Sequence, residues 1–394
     1  MAKEYWKRNL TIVWMGQFLT MTAISAVTPF LPLYVKQLGA QSLEEISIFS
    51  GLAFAGPFAL SLFFAPIWGA AGDRYGRKLM TLRALIGLAI AQILAGLCQN
   101  NYQLAGVRIL QGALSGFLPA AMALIASNTP TEKVSYALGA LQASTAAGNI
   151  LGPFFGGLIA DLFGIRQSFL FVGFLLLFIA IAMALFVEEK NKPDKNNNNS
   201  NPFKNIAYVF NNRFALSISI MISLSAFALS FARPVFILYV ETFEIDKNYL
   251  ATIGGILYSA IGLSSTFSSF YFGKVANKKG FRQILIPTSF FAGIFYLAHY
   301  FIESLYLLFI DRLAIGFCYG AISPLLFALI ADSAPTEKKG GILGAATSFQ
   351  ILGNFFGPII SGYLIPIIGV RSPFIVVGLV YFIIALAVFN SIKK

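Results

Sequence analysis

One acidic residue of the chain lies clearly inside a long apolar stretch, where it is well placed to do chemistry. This residue is Asp311, in "LLFIDRLAIGF", and Arg312 follows it directly. On a helix the two side chains point about 100° apart. A carboxyl group that is removed from water and held near cations can gain and lose a proton at ambient pH. We therefore expect Asp311 to exchange protons.

Three arginines also fall in or beside apolar stretches. A guanidinium group in lipid is costly unless it faces a cavity or a partner, so each of them is a functional candidate. They are Arg108, Arg233 and Arg312. For Arg108 a structural alternative stays open, since it can serve as a hydrogen-bonding strut to a neighbouring helix.

The elements that hold these residues are predicted to be membrane spans. The 394 residues are 57% hydrophobic and 11% charged, whereas soluble domains carry about a quarter charged residues. A bilayer core requires roughly 20 apolar residues in a helix. Twelve apolar blocks satisfy this, centred near residues 20, 58, 90, 113, 147, 177, 226, 261, 292, 316, 353 and 381. The sequence therefore predicts an all-α integral membrane protein.

The net charge of +12 is distributed as an orientation signal and not as a nucleic-acid-binding surface. If the basic N-terminal segment is cytoplasmic, most lysines and arginines fall in cytoplasmic loops. The opposite side receives Lys36, Arg166, Lys247 and Arg371. The first span lacks a small-residue cleavage site of the signal-peptide type. We expect both termini to be cytoplasmic and no nucleic acid to bind.

Few residues could support enzyme chemistry. Cys98 and Cys318 lie within or beside spans, which predicts neither a disulfide framework nor a metal site. The single histidine, His299, is predicted to be interfacial at a span end, with a proton-relay role as the alternative. No nucleotide-binding P-loop supports an ATP-driven mechanism within this chain. We expect no enzyme activity, no cofactor and no metal.

The chain contains two copies of one pattern. The segment "ALIASNTPTEK" from Ala123 recurs 205 residues later as "ALIADSAPTEK". Six spans in each copy give both copies the same orientation, which predicts two pseudo-symmetric six-helix bundles with substrate bound near the midplane. The predicted bundles are residues 1–189 and 213–394. A flexible, polar cytoplasmic linker is predicted over residues 190–212.

The loop after the second span, "GAAGDRYGRK", combines turn glycines with charged residues. It resembles the signature between spans two and three of the major facilitator superfamily. The resemblance implies a conformational latch that holds the cytoplasmic side shut, formed by Gly69, Asp73, Arg74, Gly76, Arg77 and Lys78. The second copy has Asn277 in place of Asp73, so its latch is expected to be weak or absent. A plain positively charged loop is the structural alternative.

Span five repeats glycine at close to one-turn spacing and carries a proline. A helix face without side chains lets another backbone approach closely, and proline bends a helix. The residues are Gly148, Gly152, Pro153, Gly156 and Gly157, with second-copy counterparts Gly353, Gly357 and Pro358. A hinge or sealing surface is one interpretation and plain helix packing is the other. The pattern resembles the span-five signature of the superfamily's twelve-span drug:proton antiporters. The "RILQG" at Arg108 resembles the span-four signature of the superfamily's proton-coupled members.

The resemblance places spans one, four, seven and ten around the substrate cavity. Arg233 in span seven and Asp311 in span ten are predicted to lie at similar depth, so we expect an ion pair that protonation of Asp311 releases. A permanent salt bridge between spans seven and ten is the alternative. Weak candidates for the lining of an apolar pocket are Met21, Gln111, Phe227, Phe231 and Tyr258.

Taken together, the residues and the resemblance predict a secondary active transporter of the major facilitator fold. We expect proton-coupled efflux of amphipathic or hydrophobic drug-like compounds by alternating access, in the inner membrane of a bacterium. Its partners are expected to be a small-molecule substrate, protons and the lipid bilayer, and the protein is expected to be monomeric. A transporter of one defined solute is the alternative, and a non-transporting receptor on the same fold is a further one.

Overall fold

The computed structural model describes residues 5–189, 202–335 and 339–392; of these, the side chains of Asp73, Asn277 and residues 202–206 lie outside the description. Within those ranges the chain forms sixteen α-helices and no strand. The helices are α1 (Tyr5–Val27), α2 (Leu31–Gln37), α3 (Leu43–Tyr75), α4 (Arg77–Leu97), α5 (Asn101–Leu114), α6 (Phe117–Asn128), α7 (Val134–Phe163), α8 (Ile165–Phe186), α9 (Pro202–Asn211), α10 (Arg213–Phe231), α11 (Arg233–Val240), α12 (Leu250–Lys279), α13 (Arg282–His299), α14 (Leu305–Ser333), α15 (Lys339–Ile368) and α16 (Pro373–Ser391). The predicted all-α fold is confirmed.

Eleven stretches of the described chain are long and apolar enough to cross a bilayer, and they match eleven of the twelve predicted spans. Spans one, four and seven each consist of two consecutive helices, α1–α2, α5–α6 and α10–α11, and the other spans are single helices. The predicted ninth span corresponds to α13. This helix has 18 residues and carries Arg282 and Gln283 at one end and His299 at the other, so its apolar part is shorter than a full span. It packs along α14 and α16.

Proline interrupts two of the spans. In span one a 3-10 turn at Thr28–Phe30, which contains Pro29, separates α1 from α2. In span seven Pro234 lies in the first turn of α11. Proline has no N–H to continue the helical hydrogen-bond ladder, so it is tolerated at the start of a helix. By contrast, α7 and α15 run unbroken through Pro153 and Pro358.

The helices belong to two compact units. Unit one consists of Met1–Gly39, Ala59–Asn198 and Lys247–Ser259, and unit two of Ala40–Phe58, Asn199–Asp246 and Ala260–Lys394. Each unit therefore includes one helix end from the other sequence copy. The division into bundles at residues 189 and 213 stays a prediction.

Each unit is built from the same helix pairs. In unit one, α1 packs against α7 and α4 against α8; in unit two, α10 packs against α15 and α13 against α16. Large apolar side chains such as Phe178, Leu185 and Phe267 are between 66% and 72% exposed. This pattern suits a bundle whose outer surface faces lipid and not water.

Part of the predicted linker is helical. Residues 190–201 lie outside the described residues, but Pro202–Asn211 forms α9, which packs against α15. Val209 is fully buried, and the Phe210 ring lies 5.8 Å from the Phe349 ring. The prediction of a flexible connector through residue 212 is therefore wrong for this segment, because its apolar residues give a short helix one face that can pack.

The repeated glycines let helices touch backbone to backbone. A Cβ atom on Gly148 would lie 2.7 Å from the carbonyl oxygen of Phe18 in α1, and a Cβ on Gly152 2.6 Å from that of Thr22. A Cβ on Gly156 would overlap the carbonyl of Ala26. In the second copy, Gly353 and Gly357 approach α10 in the same way. Side chains at these positions would push the helices apart.

One hydrogen bond between side chains accompanies the glycine contacts in each copy. The Ser25 hydroxyl donates to Asn149 Oδ1 over 2.7 Å. The equivalent residues of the second copy, each 205 positions later, form the same bond, in which Ser230 donates to Asn354 Oδ1. The two copies thus share a packing arrangement as well as a sequence pattern. The close approach of small residues and a cross-helix hydrogen bond stabilise helix pairs in lipid.

We predict that Gly156→Ala destabilises the protein, because the added methyl group meets the backbone of Ala26, which has no rotamer to change. Overpacking of this kind costs about 1–3 kcal/mol. The apparent Tm of the detergent-purified variant should fall by several degrees, with a lower yield of monodisperse protein. Gly139→Ala on the same helix is the matched control, since a Cβ there meets nothing within 4 Å. Equal Tm values for the two variants would contradict the backbone contact.

Candidate functional site

The helix that follows the loop of the predicted latch is capped by a carboxylate from a distant part of the chain. Gly76 has φ 106°, a value that glycine adopts readily, and it links α3 to α4. The backbone N–H groups of Arg77 and Lys78 donate to the two Glu189 carboxylate oxygens over 2.8 and 3.0 Å. Glu189 therefore caps the positive end of α4. The sequence did not single out Glu189.

The basic side chains of the latch join three helices of unit one. Arg77 donates to the carbonyl of Ala123 in α6 over 3.1 Å, and Lys78 donates to Ala184, in the last turn of α8, over 2.8 Å. The second copy repeats the latter contact, with Arg282 donating to Phe389. Arg74 is exposed and lies over the Tyr75 ring, and a Cβ on Gly69 would meet nothing within 4 Å. The Asp73 side chain lies outside the described residues.

Span four is broken beside the latch. Helix α5 ends at Leu114, and Gly116, with φ 113°, allows α6 to begin at Phe117. The Arg83 guanidinium donates to the carbonyls of Leu114 and Ser115 over 3.4 and 2.8 Å. It also lies 3.8 Å from the centre of the Trp68 ring. Arg83 thus satisfies backbone groups that the break leaves without helical partners.

In the first helix of span four, Arg108 is buried and forms a hydrogen bond with a residue of its own helix. Its guanidinium donates to Gln111 Oε1 over 2.7 Å. The exposed fractions of Arg108 and Gln111 are 4% and 5%. Gln111, a weak candidate for the cavity lining, is therefore a partner of Arg108.

The Asp311 carboxylate is in contact with His299. Asp311 Oδ2 and His299 Nδ1 form an ion pair when the imidazole is protonated, and this pair joins α14 to the end of α13. His299 is fully buried and Asp311 is 8% exposed. The prediction of an interfacial His299 is wrong, because the helix end is covered by α11 and α16. A carboxylate and an imidazole in contact can bind, share and release a proton.

The arginines near Asp311 have other neighbours. The Arg312 guanidinium lies 3.6 Å from the centre of the Phe236 ring, a cation–π contact. Arg233 is partly exposed and interacts electrostatically with Tyr319. Among the described residues, the ion pair of Asp311 is with His299 and not with Arg233 as predicted. The reason is that α13 packs directly against α14 and brings the imidazole to the carboxylate.

An aromatic shell surrounds the Asp311–His299 pair. The Tyr239 hydroxyl donates to the backbone carbonyl of His299 over 2.8 Å and to that of Ile302 over 2.9 Å. The Phe374 ring lies 4.8 Å from the imidazole, and the Tyr296 ring lies 5.9 Å from it. The shell excludes water from the pair and fixes the end of α13.

The predicted hinge glycines also contact the starts of other spans. Gly157 faces the Ala251 backbone of α12, and Gly255 faces Pro153. In addition, the Asp161 carboxylate accepts hydrogen bonds from the Ala251 and Thr252 backbone N–H groups over 3.1 and 2.7 Å, which caps α12. Asp161 is a second capping carboxylate that the sequence did not single out.

Unit two contains the counterpart of this glycine contact. Gly362 faces the Ser47 backbone of α3, and Gly51 lies against the carbonyl of Pro358. The paired positions are 204 or 205 residues apart in the two copies. The internal repeat therefore extends to these backbone contacts, of which there are two in each unit.

The weak pocket candidates are divided between the two units. Met21, Gln111 and Tyr258 belong to unit one, and Phe227 and Phe231 belong to unit two. Phe231 is fully buried, and its ring lies tilted against that of Phe227 with ring centres 5.4 Å apart. A ligand-contacting role for these five residues stays a prediction.

Both cysteines are buried free thiols. Cys98 lies just after α4, where burial raises the pKa of its thiol, so it stays protonated. Among the described residues, no group of three or more histidine, cysteine or acidic side chains is placed to hold a metal ion.

Comparison with known proteins gives a match along the whole chain. Residues 13–305 and 251–392 match the model of the Major Facilitator Superfamily. The multidrug resistance protein MdtG of Salmonella typhimurium is 33% identical over 389 residues, which is 99% of this chain and 96% of that protein. MdtG of Citrobacter koseri is equally similar over the same shares.

Solved transporter structures share the fold. A bacterial homologue of the human lysosomal transporter Spinster, in an inward-facing and occupied conformation, has a TM-score of 0.80 at 14% identity and covers 99% of this chain and 97% of its own. The nucleoside transporter NupG has a TM-score of 0.83 at 13% identity and covers 98% and 100%. The sixteen helices of the described ranges, the twofold internal repeat and the full-length similarity agree: the chain belongs to the Major Facilitator Superfamily of multi-pass membrane transporters.

Proposed function

We propose that this transporter exports amphipathic or hydrophobic drug-like compounds in exchange for protons. The observation that carries the proposal is the similarity over nearly the whole chain to MdtG proteins, which are named multidrug resistance proteins. The chain also carries the Gly-Pro-Gly-Gly pattern of span five that resembles drug:proton antiporters, and its glycines pack closely against neighbouring helices.

The protein works by alternating access in this proposal. The bundles 1–189 and 213–394 rock against each other, joined by the 190–212 segment, and expose one substrate site to each side by turns. The glycine contacts favour such a motion, because smooth backbone surfaces separate and re-form without unlocking side chains. Glu189 caps α4 and Asp161 caps α12. In this proposal the hydrogen bonds of each cap either stay intact or break as the bundles move.

Proton coupling requires a group that changes charge within the membrane. Asp311 is supported as that group by its burial and its contact with His299. Arg108 in span four, Arg233 in span seven and Arg312 in span ten are the cations of the central spans, and in this proposal they respond to the neutralisation of the carboxylate.

The transporter is placed in the inner membrane of a bacterium, with both termini in the cytoplasm and as a monomer. The relatives are bacterial proteins. The basic residues concentrate in the loops that this orientation makes cytoplasmic, as the positive-inside rule requires.

We predict that purified protein in liposomes transports several unrelated dyes in one direction when a pH gradient drives protons in the other. Each dye should stimulate proton movement. Ethidium, rhodamine 6G and a tetracycline are suitable probes. Asp311→Asn should abolish gradient-driven export because it removes the carboxyl group that carries the proton in this proposal. Asp332→Asn is the matched control, since Asp332 lies exposed at the end of the same helix.

Three results of this assay decide against parts of the proposal. Export of one compound and of no others indicates a transporter of one defined solute. Dye binding without any export from sealed vesicles indicates a receptor. Unimpaired coupling in Asp311→Asn removes this residue from the mechanism.

We predict that Glu189→Ala destabilises the latch region, because the backbone N–H groups of Arg77 and Lys78 lose their acceptors. Loss of a helix N-cap costs about 1 kcal/mol. Thermal unfolding in detergent should therefore begin at a lower temperature, and hydrogen exchange should accelerate in the first turn of α4. Glu132→Ala, at an exposed 3-10 turn, removes the same charge without a cap and serves as the control. Unchanged exchange in α4 would show that Glu189 does not hold it.

A further inference from the structure

We propose that the exchanged proton is held by His299 and Asp311 together, as a two-residue site that exists only in the second sequence copy. The proposal rests on the proposed function for its role in transport. The carboxylate alone was the expected coupling group, and the structure adds the imidazole that contacts it.

Burial makes the partnership necessary. His299 is fully buried and Asp311 is 8% exposed, so an ionised carboxylate here has little water to stabilise it. An isolated buried charge is costly, whereas a paired one is tolerated. With one proton the pair is neutral overall, whether the proton lies on the imidazole or on the carboxyl. When that proton leaves, the pair carries one negative charge, and the proton has been released without breaking any other bond.

The first copy shows that the scaffold does not require this pair. The positions 204 residues earlier are Ala95, in place of His299, and Val107, in place of Asp311. The surrounding structure is nevertheless the same: the Tyr34 hydroxyl donates to the Ala95 carbonyl over 2.8 Å, as Tyr239 does to His299. The same helix-end arrangement thus forms with an apolar pair, so this arrangement does not by itself require a charged pair.

Several ionisable groups face the pair from the packed helices. Tyr239 contributes its hydroxyl from α11 and Tyr296 its ring from α13. Arg312 and Cys318 interact electrostatically with the pair from α14. The Arg371 guanidinium, just before α16, lies 5.9 Å from the centre of the Tyr239 ring. Among these described groups, both arginines are cations and no second carboxylate is present, so loss of the proton leaves a negative charge beside two fixed positive ones.

The pair is placed to transmit its charge state to the helices. It joins α13 to α14, and Tyr239 ties the same end of α13 to α11. The next residue of α14, Arg312, rests on Phe236 of α11. Protonation of the pair removes the negative charge beside Arg312 and therefore changes the balance between α11 and α14, in spans seven and ten.

The deciding variant replaces the pair by its first-copy counterpart, His299→Ala together with Asp311→Val. Replacing both members avoids leaving one buried charge unpaired, and such exchanges are often neutral for stability. The fold is checked by the melting temperature in detergent. Asp332→Asn is the control for a loss of acidic charge on α14.

We expect the double variant to lose dye export driven by a pH gradient, down to the level of protein-free liposomes, while dye exchange at equal pH continues. A structural role would instead reduce both activities together. His299→Gln alone should shift the pH dependence of gradient-driven export, because the imidazole no longer shares the proton with the carboxylate. Gradient-driven export at the wild-type rate in the double variant overturns the proposal, and so does a parallel loss of export and exchange in a stably folded variant.

A spectroscopic measurement separates this proposal from the proposed function. Infrared difference spectra across the pH range should show a protonated-carboxyl band in the wild type that is absent from Asp311→Asn and altered in frequency or midpoint in His299→Gln. If the wild type exports no dye but shows this band, the proposed function fails and the proton site stands. If no band distinguishes the wild type from Asp311→Asn, or if His299→Gln leaves it unchanged, the two-residue site is wrong whatever the transport result.

Discussion

A backbone N–H or C=O group that loses its partner inside a bilayer finds no water to replace it, and this constraint governs the whole transporter. Every regular element in the described ranges is a helix, and each break in a span has a visible cause. Pro29 accounts for the turn in span one. At Gly116 the freed carbonyls of span four are taken by Arg83. The second copy has Pro287 where Arg83 would be, and its α14 is continuous.

Close backbone packing between helices is the second consequence of the lipid environment. Helix association there gains little from the hydrophobic effect, so contact area and small residues decide which helices pair. The span-five glycines let α7 contact α1 on one side and the start of α12 on the other, and the second copy repeats both contacts. One helix thus holds two neighbours through surfaces without side chains. Such surfaces give a close fit without interlocked side chains, and the proposed rocking motion makes use of that property.

The sequence predicted the features that depend on periodic patterns. Apolar blocks gave the spans, and the 205-residue offset gave the repeat whose contacts the structure reproduces at Gly148 and Gly353. It failed where the partner is distant along the chain. Nothing local marks Glu189 as the cap of α4, and the neighbour of Asp311 was taken to be an arginine because charge alone favoured it. His299 was misplaced since a histidine at a helix end resembles an interfacial residue until α11 and α16 cover it. The 202–211 helix was hidden by its low-complexity surroundings.

Where the two copies differ, each has taken on something the other lacks. The first copy carries the acidic residue of the latch and the Glu189 cap, whereas the second has Asn277 and Lys394 at the corresponding positions. The second copy carries the buried His299–Asp311 pair, where the first is apolar. In the mechanism proposed above, the group that holds a conformation lies in the first copy and the group that takes up the proton lies in the second. The proposed mechanism therefore requires the proton to act on the conformation through helix packing, and the glycine contacts are the closest helix packing that the structure shows.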